Sequence, residues 1–159
     1  MMLYSQSPSE TIRIGKQVGR LLQCGDVIAL VGELGAGKTQ FIKGMSNGIG
    51  VGKPTYISSP SFTLIHEYPG KIPFYHIDLY RLKWEGEAEE LGLEDYFQGK
   101  GITAIEWADK IPSFLPNERL SIHMTYTGTH SRSIELIGIG KRPLKIIEGL
   151  KDSRVQGAK

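Results

Sequence analysis

Apolar residues recur along the first third of the chain with two different periods. Between Ser9 and Gly25, Ile14, Val18, Leu21 and Leu22 return at three- and four-residue intervals, which places them on one face of a helix. The string Ser7-Pro8-Ser9-Glu10 is a capping box with proline at the first helical position, so the helix is predicted to begin there and to end by Gly25. The next run, Asp26-Val27-Ile28-Ala29-Leu30-Val31, is apolar without alternation and lies between Gly25 and Gly32, as expected of a short parallel strand covered on both faces. From Thr39 to about Ile49 the helical spacing returns in Phe41, Ile42 and Met45, and it stops near Gly48 and Gly50.

The rest of the chain alternates in the same way. After the loop Gly50-Val51-Gly52-Lys53-Pro54 and the punctuated stretch Ser58-Ser59-Pro60-Ser61, two strand-like runs, Phe62 to Tyr68 and Ile72 to Leu79, are joined by Pro69-Gly70-Lys71 and read as an antiparallel hairpin. Pro73 belongs at an edge or near a strand start, because it has no N–H for a ladder. An acidic helical stretch follows, with Glu85, Glu87, Glu89 and Glu90 outward and Leu91, Leu93 and Phe97 inward. Gly99-Lys100-Gly101 then breaks the chain before Ile102-Thr103-Ala104-Ile105-Glu106-Trp107, an apolar strand with a carboxylate at its end. Strands over Arg119 to Tyr126 and Ser133 to Ile139, and a short helix over Leu144, Ile147 and Leu150, complete the pattern. Residues 1–150 are expected to form a single domain and 151–159 a polar, flexible tail.

One junction carries most of the chemistry. Residues Gly32-Glu33-Leu34-Gly35-Ala36-Gly37-Lys38-Thr39 match G-x-x-x-x-G-K-[ST] without interruption, between the predicted strand and the predicted helix. A chance match in a chain with 20 glycines is a matter of roughly one or two per cent before that context is counted. The glycines bring backbone N–H groups close to phosphate oxygens, and the following helix adds the positive end of its dipole. Lys38 would reach the β and γ phosphates as a point charge, and the Thr39 hydroxyl would be one ligand of a Mg2+ that keeps most of its waters. The fold class that follows is α/β and P-loop NTPase-like, with a mostly parallel central sheet, an antiparallel hairpin portion and helices on both faces.

Composition narrows the setting. A net charge of +2 fits a nucleic-acid neighbour without arguing for one. Cys24 is the only cysteine, which excludes an intrachain disulfide and suits a reducing cytoplasm; a small apolar residue at a helix end is the expected role. No run approaches the length needed to span a bilayer.

Hydrolysis needs an acidic group beside the metal and something to position water. Glu106, ending an apolar strand where ligands of open α/β sheets collect, is the candidate for the first. Asp78 is the candidate for the second, since His76-Ile77-Asp78 puts His76 and Asp78 on one side of a strand. Two polar groups on a wet strand face are an equally good reading of that pair. Arg81, Arg119 and Arg132 could each supply positive charge, and spacing does not choose among them. Trp107 could stack on a nucleotide or partner, although a half-buried tryptophan is the commoner outcome.

The order of motifs adds a resemblance. The loop at 32–39, Ser59-Pro60-Ser61-Phe62, His76-Ile77-Asp78-Leu79-Tyr80-Arg81-Leu82, Leu91-Gly92-Leu93 with Asp95-Tyr96-Phe97, and Ile105-Glu106-Trp107 together resemble the bacterial TsaE (YjeE) family over nearly the whole chain. The resemblance implies a small Mg2+-dependent ATPase, binding ATP and ADP and needed for threonylcarbamoyladenosine modification of tRNA beside the anticodon. Its implied partners are a threonylcarbamoyl-transferase subunit and that subunit's pseudo-enzyme companion, of TsaD and TsaB type, with tRNA met indirectly or weakly and no membrane. It implies that Thr39 and Glu106 hold Mg2+, that Asp78, Glu106 and Lys38 are catalytic, and that Ser59, Pro60, Ser61 and Phe62 form a switch-like loop. Glu33, Leu34, Gly35, Ala36, Gly37, Lys38, Thr39 and Gln40, with Thr11, Trp107 and Arg132, match nucleotide-contacting positions; His76, Tyr80 and Arg81 match without an assigned role. Ser61 departs from the family's usual Thr, keeping the hydroxyl and losing a methyl.

Two other readings share the loop. A small-molecule kinase would need an acceptor pocket and an arginine-rich lid, and no arginine cluster is present. A scaffold that binds nucleotide without essential turnover would use it only to order the 59–62 loop. A GTPase is weaker, because no Asn/Thr-Lys-x-Asp string is present to recognise guanine. The basic residues Lys141, Arg142, Lys145, Lys151 and Arg154 are read as solvated surface rather than a tRNA contact.

Overall fold

The computed structural model describes residues 1–51 and 64–157. Ser59, Pro60, Ser61 and Phe62 lie outside the described residues. Local rules place the first elements. Strand β1 (Met2–Ser5) leads into α1 (Pro8–Gly19), whose N-cap Ser7 accepts the Glu10 N–H through its side chain at 3.1 Å. Glu10 reaches back to the Gln6 N–H at 2.9 Å, one residue before the cap, and that bond, followed by one from Arg13 at 2.9 Å, holds its carboxyl below the usual carboxylate range. Strand β2 (Val27–Gly32) runs into the phosphate-loop motif, and α2 (Lys38–Ile49) leaves it and ends at Gly50, where φ is +89°.

The remaining strands are β3 (Ile65–Tyr68), β4 (Phe74–Asp78), β5 (Ile102–Glu106), β6 (Arg119–Tyr126) and β7 (Arg132–Ile139). Among the described residues they form one sheet in the order β1-β7-β6-β2-β5-β4-β3. Its centre, β6-β2-β5-β4, is parallel. The β3–β4 hairpin expected from sequence flanks it antiparallel on one side. On the other side β7 and β1 are antiparallel as well, and β1 was not expected, being four residues whose pairing partner lies some 130 residues away.

The two faces are covered differently. Helices α1, α2 and α4 (Lys141–Gly157) lie on the face carrying Leu3, Ile28, Leu30, Ile122 and Ile134. The opposite face, with Val27, Ala29, Ile77 and Ile105, is covered by the segments 79–97 and 107–115, which flank β5. The first folds as a 3-10 helix (Glu85–Leu91) and a five-residue α3 (Leu93–Phe97), the second as a 3-10 turn (Ala108–Lys110). The acidic stretch is therefore broken at Gly92, where φ is +61°, instead of running as one helix. Helix α4 continues through 151–157, which sequence read as a polar tail. Cys24 is exposed in the turn before β2, not packed at a helix end.

Helices α1 and α2 touch backbone to backbone. A Cβ on Gly44 would lie 2.8 Å from the Ile12 carbonyl carbon, and one on Gly19 2.8 Å from that of Met45. This close approach fixes where α2 begins, and hence where its N-terminus points. No helix among the described residues is long and apolar enough to cross a membrane.

Candidate functional site

The end of β2 and the start of α2 bracket a tight loop. Gly35 and Gly37 take φ of +78° and +101°, a region that L side chains enter only at a cost. Helix α2 starts at Lys38 with no side-chain cap, so its 12 residues present an uncapped positive end to the loop. Glu33, Leu34 and Gly35 are exposed, while Ala36 is fully buried beneath them.

Parallel register brings the acids to this loop. Leu30 of β2 is level with Glu106 of β5, and Glu106 is level with Asp78 of β4. All three strands point their C-terminal ends the same way, so both carboxylates arrive at the edge where the loop begins. Neither lies on a wet face: Glu106 is 3% exposed, Asp78 4% and His76 0%. The Thr39 hydroxyl donates to Glu106 Oε1 at 2.9 Å, and His76 Nε2 bonds Glu106 Oε2 at 2.7 Å. One buried carboxylate is thus shared by the loop threonine and a histidine two strands away from the loop strand. His76 Nδ1 is buried and has no hydrogen-bond partner among the described residues. Asp78 Oδ1 accepts the Tyr80 N–H at 3.0 Å, and the Asp78 N–H donates to the Leu64 carbonyl at 2.8 Å.

Lys38 is 3% exposed, and its ammonium donates to the carbonyls of Gly32 at 2.6 Å and Glu33 at 2.9 Å. Nζ also lies 4.1 Å from the centre of the Trp107 ring, a cation–π contact. Burial pushes its pKa below the usual lysine value, against the opposing pull of Glu106, Asp78 and Asp109. Trp107 is half-buried and takes φ of +61°, strained for an aromatic residue. Lys110 Nζ donates to the carbonyls of Tyr80 and Leu82, and the Tyr80 and Trp107 ring centres are 5.3 Å apart. A cleft of about 410 Å³ opens between Lys38, Thr39 and Gln40 on one side and Asp78, Tyr80, Glu106 and Trp107 on the other.

The tertiary structure also separates the three arginines. Arg132 is 5% exposed, and its guanidinium lies against Gly37, where an added Cβ would be 3.3 Å from Cζ. Arg119 sits at the start of β6, at the opposite end of the parallel sheet, and donates to the Pro116 carbonyl at 2.9 Å. Arg81 is exposed just past Asp78. Thr11 does not line the cleft; it is buried at the start of α1, with Oγ1 2.8 Å from Ser5 Oγ and 3.2 Å from the Ser7 carbonyl. Two residues were missed in the sequence. Lys110 gave no signal, and Tyr126, whose hydroxyl donates to the Gly35 carbonyl, looked like the last residue of an ordinary strand.

The oxygens of Thr39 and Glu106 are hard donors of the kind Mg2+ accepts, and Asp78 lines the same cleft. No group of three or more His, Cys, Asp or Glu side chains able to hold a metal by themselves occurs among the described residues. Protein ligands would therefore share the ion with phosphate oxygens and water.

Comparisons with known proteins agree on one family. The family model described as "Threonylcarbamoyl adenosine biosynthesis protein TsaE" matches residues 5–134. The chain is similar to a Bacillus subtilis (strain 168) protein named "tRNA threonylcarbamoyladenosine biosynthesis protein TsaE", 43% identical over 145 residues, covering 91% of this chain and 89% of that one. A protein of the same name from Nostoc sp. (strain PCC 7120) is 40% identical over 139 residues, covering 84% and 83%. A crystal structure of Bacillus subtilis YdiB superposes with a TM-score of 0.81 at 37% identity, covering 97% of this chain and 95% of its own. With the loop, the paired acids and the Trp107 turn all inside the matched region, the chain belongs to the TsaE family.

Proposed function

We propose that this chain is the ATP-binding and ATP-hydrolysing subunit for tRNA threonylcarbamoyladenosine modification. It acts in the cytoplasm on a transferase subunit and its pseudo-enzyme companion, of TsaD and TsaB type, while chemistry on tRNA occurs in those partners. The names of its relatives support the pathway. The observation that carries the activity is the 2.9 Å bond from Thr39 to Glu106, which joins the start of α2 to the acid ending β5.

Each residue then has a task. The loop N–H groups and the end of α2 receive the phosphates, and Lys38 turns from the Gly32 and Glu33 carbonyls to the β and γ phosphates. Thr39 and Glu106 would hold Mg2+, which when bound neutralises charge on the phosphate oxygens. His76 fixes the orientation of Glu106. Asp78 orients the attacking water, its other oxygen tied to the Tyr80 N–H.

No arginine lines the cleft among the described residues. Hydrolysis by the isolated chain is therefore slow, and partners complete the site. The test is ATP hydrolysis by the purified chain, alone and with the transferase pair, with Lys38→Ala and Glu106→Ala as controls. A rate that rises with the partners and is lost in both variants supports the reading. Phosphate passing to a small acceptor would replace it with a kinase, and tRNA modification that survives loss of turnover would leave a scaffold.

A further inference from the structure

Strand β6 neighbours β2 on the side opposite β5, so its C-terminal end meets the phosphate loop from the flank away from Asp78 and Glu106. Tyr126 ends this strand and is level with Arg132, the first residue of β7, so both side chains leave the same face of the hairpin. The Arg132 guanidinium lies 5.9 Å from the centre of the Tyr126 ring and backs Gly37, while the Tyr126 hydroxyl donates to the Gly35 carbonyl.

These contacts are unusual for the residues that make them. Arg132 is 95% removed from solvent, yet its Nε has no partner among the described residues and its Nη2 has only a 3.5 Å approach to the His130 carbonyl. A buried guanidinium so poorly hydrogen-bonded is costly, and the Tyr126 ring is its compensating contact. The loop it supports has little packing of its own, since Glu33, Leu34 and Gly35 are all exposed. The Gly35–Ala36 peptide is nonetheless tied at both ends: its carbonyl by Tyr126, and its N–H by the Glu33 carbonyl at 3.0 Å. Because the peptide is planar, fixing both ends fixes its orientation and the direction in which Gly37 leads into α2. Ordering the donors in advance removes an entropy loss from phosphate binding.

We propose that Tyr126, seated on Arg132, is a positioning residue that holds the 32–39 loop in its phosphate-receiving shape; this role rests on the nucleotide-binding reading above. Tyr126→Phe removes the hydroxyl and keeps the ring on Arg132. In the ligand-free full chain, the backbone amides of residues 33–38 should exchange with solvent about 3- to 10-fold faster than in wild type, with exchange elsewhere and Tm unchanged. The Kd for ATP should rise by about the same factor, while kcat at saturating ATP is retained. Wild-type exchange in the loop overturns the proposal. So does a weaker Kd with unaltered loop exchange, which would mean that the hydroxyl touches the nucleotide directly, and so does a loosened loop with unaltered Kd. If wild-type chain takes up no ATP, the nucleotide reading fails by itself. The exchange measurement then still decides whether Tyr126 holds the loop.

Discussion

The two ends of β2 treat buried charge in different ways. At its start, Asp26 receives Arg142 on both oxygens, at 3.0 and 2.8 Å, and the Gln23 N–H at 2.7 Å. Arg142 also donates to the Leu21 carbonyl at 2.6 Å, so α4, the end of α1 and the start of β2 are joined by one saturated pair. Arg142 is thus a structural anchor in place of the free surface charge expected from sequence. At the other end, Lys38, Asp78, Glu106 and His76 lie on the β5 and β4 side of the loop and Arg132 on the β6 side; among the described residues His76 Nδ1 and Arg132 Nε have no hydrogen-bond partner, and Trp107 is in a strained conformation. At the first end the Asp26–Arg142 pair spends its polar groups on stability, although Arg119 Nε nearby has no partner among the described residues. The second gathers a buried lysine, two carboxylates and an arginine around one strand end, each carboxylate and the lysine hydrogen-bonded to its neighbours.

Removing a charge should therefore have different consequences at the two ends. Lys38→Ala or Glu106→Ala is expected to lower ATP hydrolysis by at least about 100-fold, with Tm held or raised in Lys38→Ala and lowered in Glu106→Ala, which leaves buried His76 without its partner, measured by phosphate release and thermal melting. A Tm collapse in Lys38→Ala would erase the contrast. His76→Leu should cost about 10–100-fold in turnover through a mis-set Glu106, with weaker Mg2+ dependence of ATP binding; His76→Gln, which keeps an N–H donor, should recover part of the loss. Equal loss in both variants would show that His76 acts only as packing.

Arg142→Ala tests the other end. It should destabilise by about 1–3 kcal/mol, between the values for surface and buried pairs because Arg142 is partly exposed, and so lower Tm by about 2–12 °C with Kd for ATP unchanged. The smallest effect concerns Tyr96 of α3, which donates to Glu67 Oε1 at 2.8 Å and whose carbonyl accepts from Thr103 Oγ1 at 2.9 Å near the start of β5. Burial first, and then the Glu67 bond, push its pKa up to about 12. Neutral Tyr96 is thus favoured by folding, so its contribution is complete below the ordinary tyrosine value near ~10 and is lost as pH rises through about 12. In an ultraviolet titration Tyr96 should be the late-ionising tyrosine, and Tyr96→Phe should remove that phase. Lys38 shifts the other way: its charged form is disfavoured, so ATP affinity should begin to fall with rising pH below the usual lysine value of about 10.4.

Features set by near neighbours in the chain could be read before the fold was known. The capping of α1 at Ser7, the apolar β2, the glycine loop and the β3–β4 hairpin each depend on residues a few positions apart. Strand β1 could not be read that way, because four residues become a strand only by pairing with β7. The break of the acidic helix at Gly92 belongs to the same class, since its apolar side must follow the Val27–Ala29–Ile77–Ile105 face instead of a straight axis.

For the site the division is equally physical. The sequence determined that an unbroken G-x-x-x-x-G-K-[ST] loop lies between a strand and a helix, that acids end two strands, and that three arginines are available, because these are statements about residue type and local period. The tertiary structure alone decided that Glu106 is shared between Thr39 and His76, that Arg132 and not Arg119 meets the loop, and that Tyr126 reaches Gly35 from 91 residues away. Those contacts follow from strand order and register, in which a one-residue slip would turn each side chain to the opposite face.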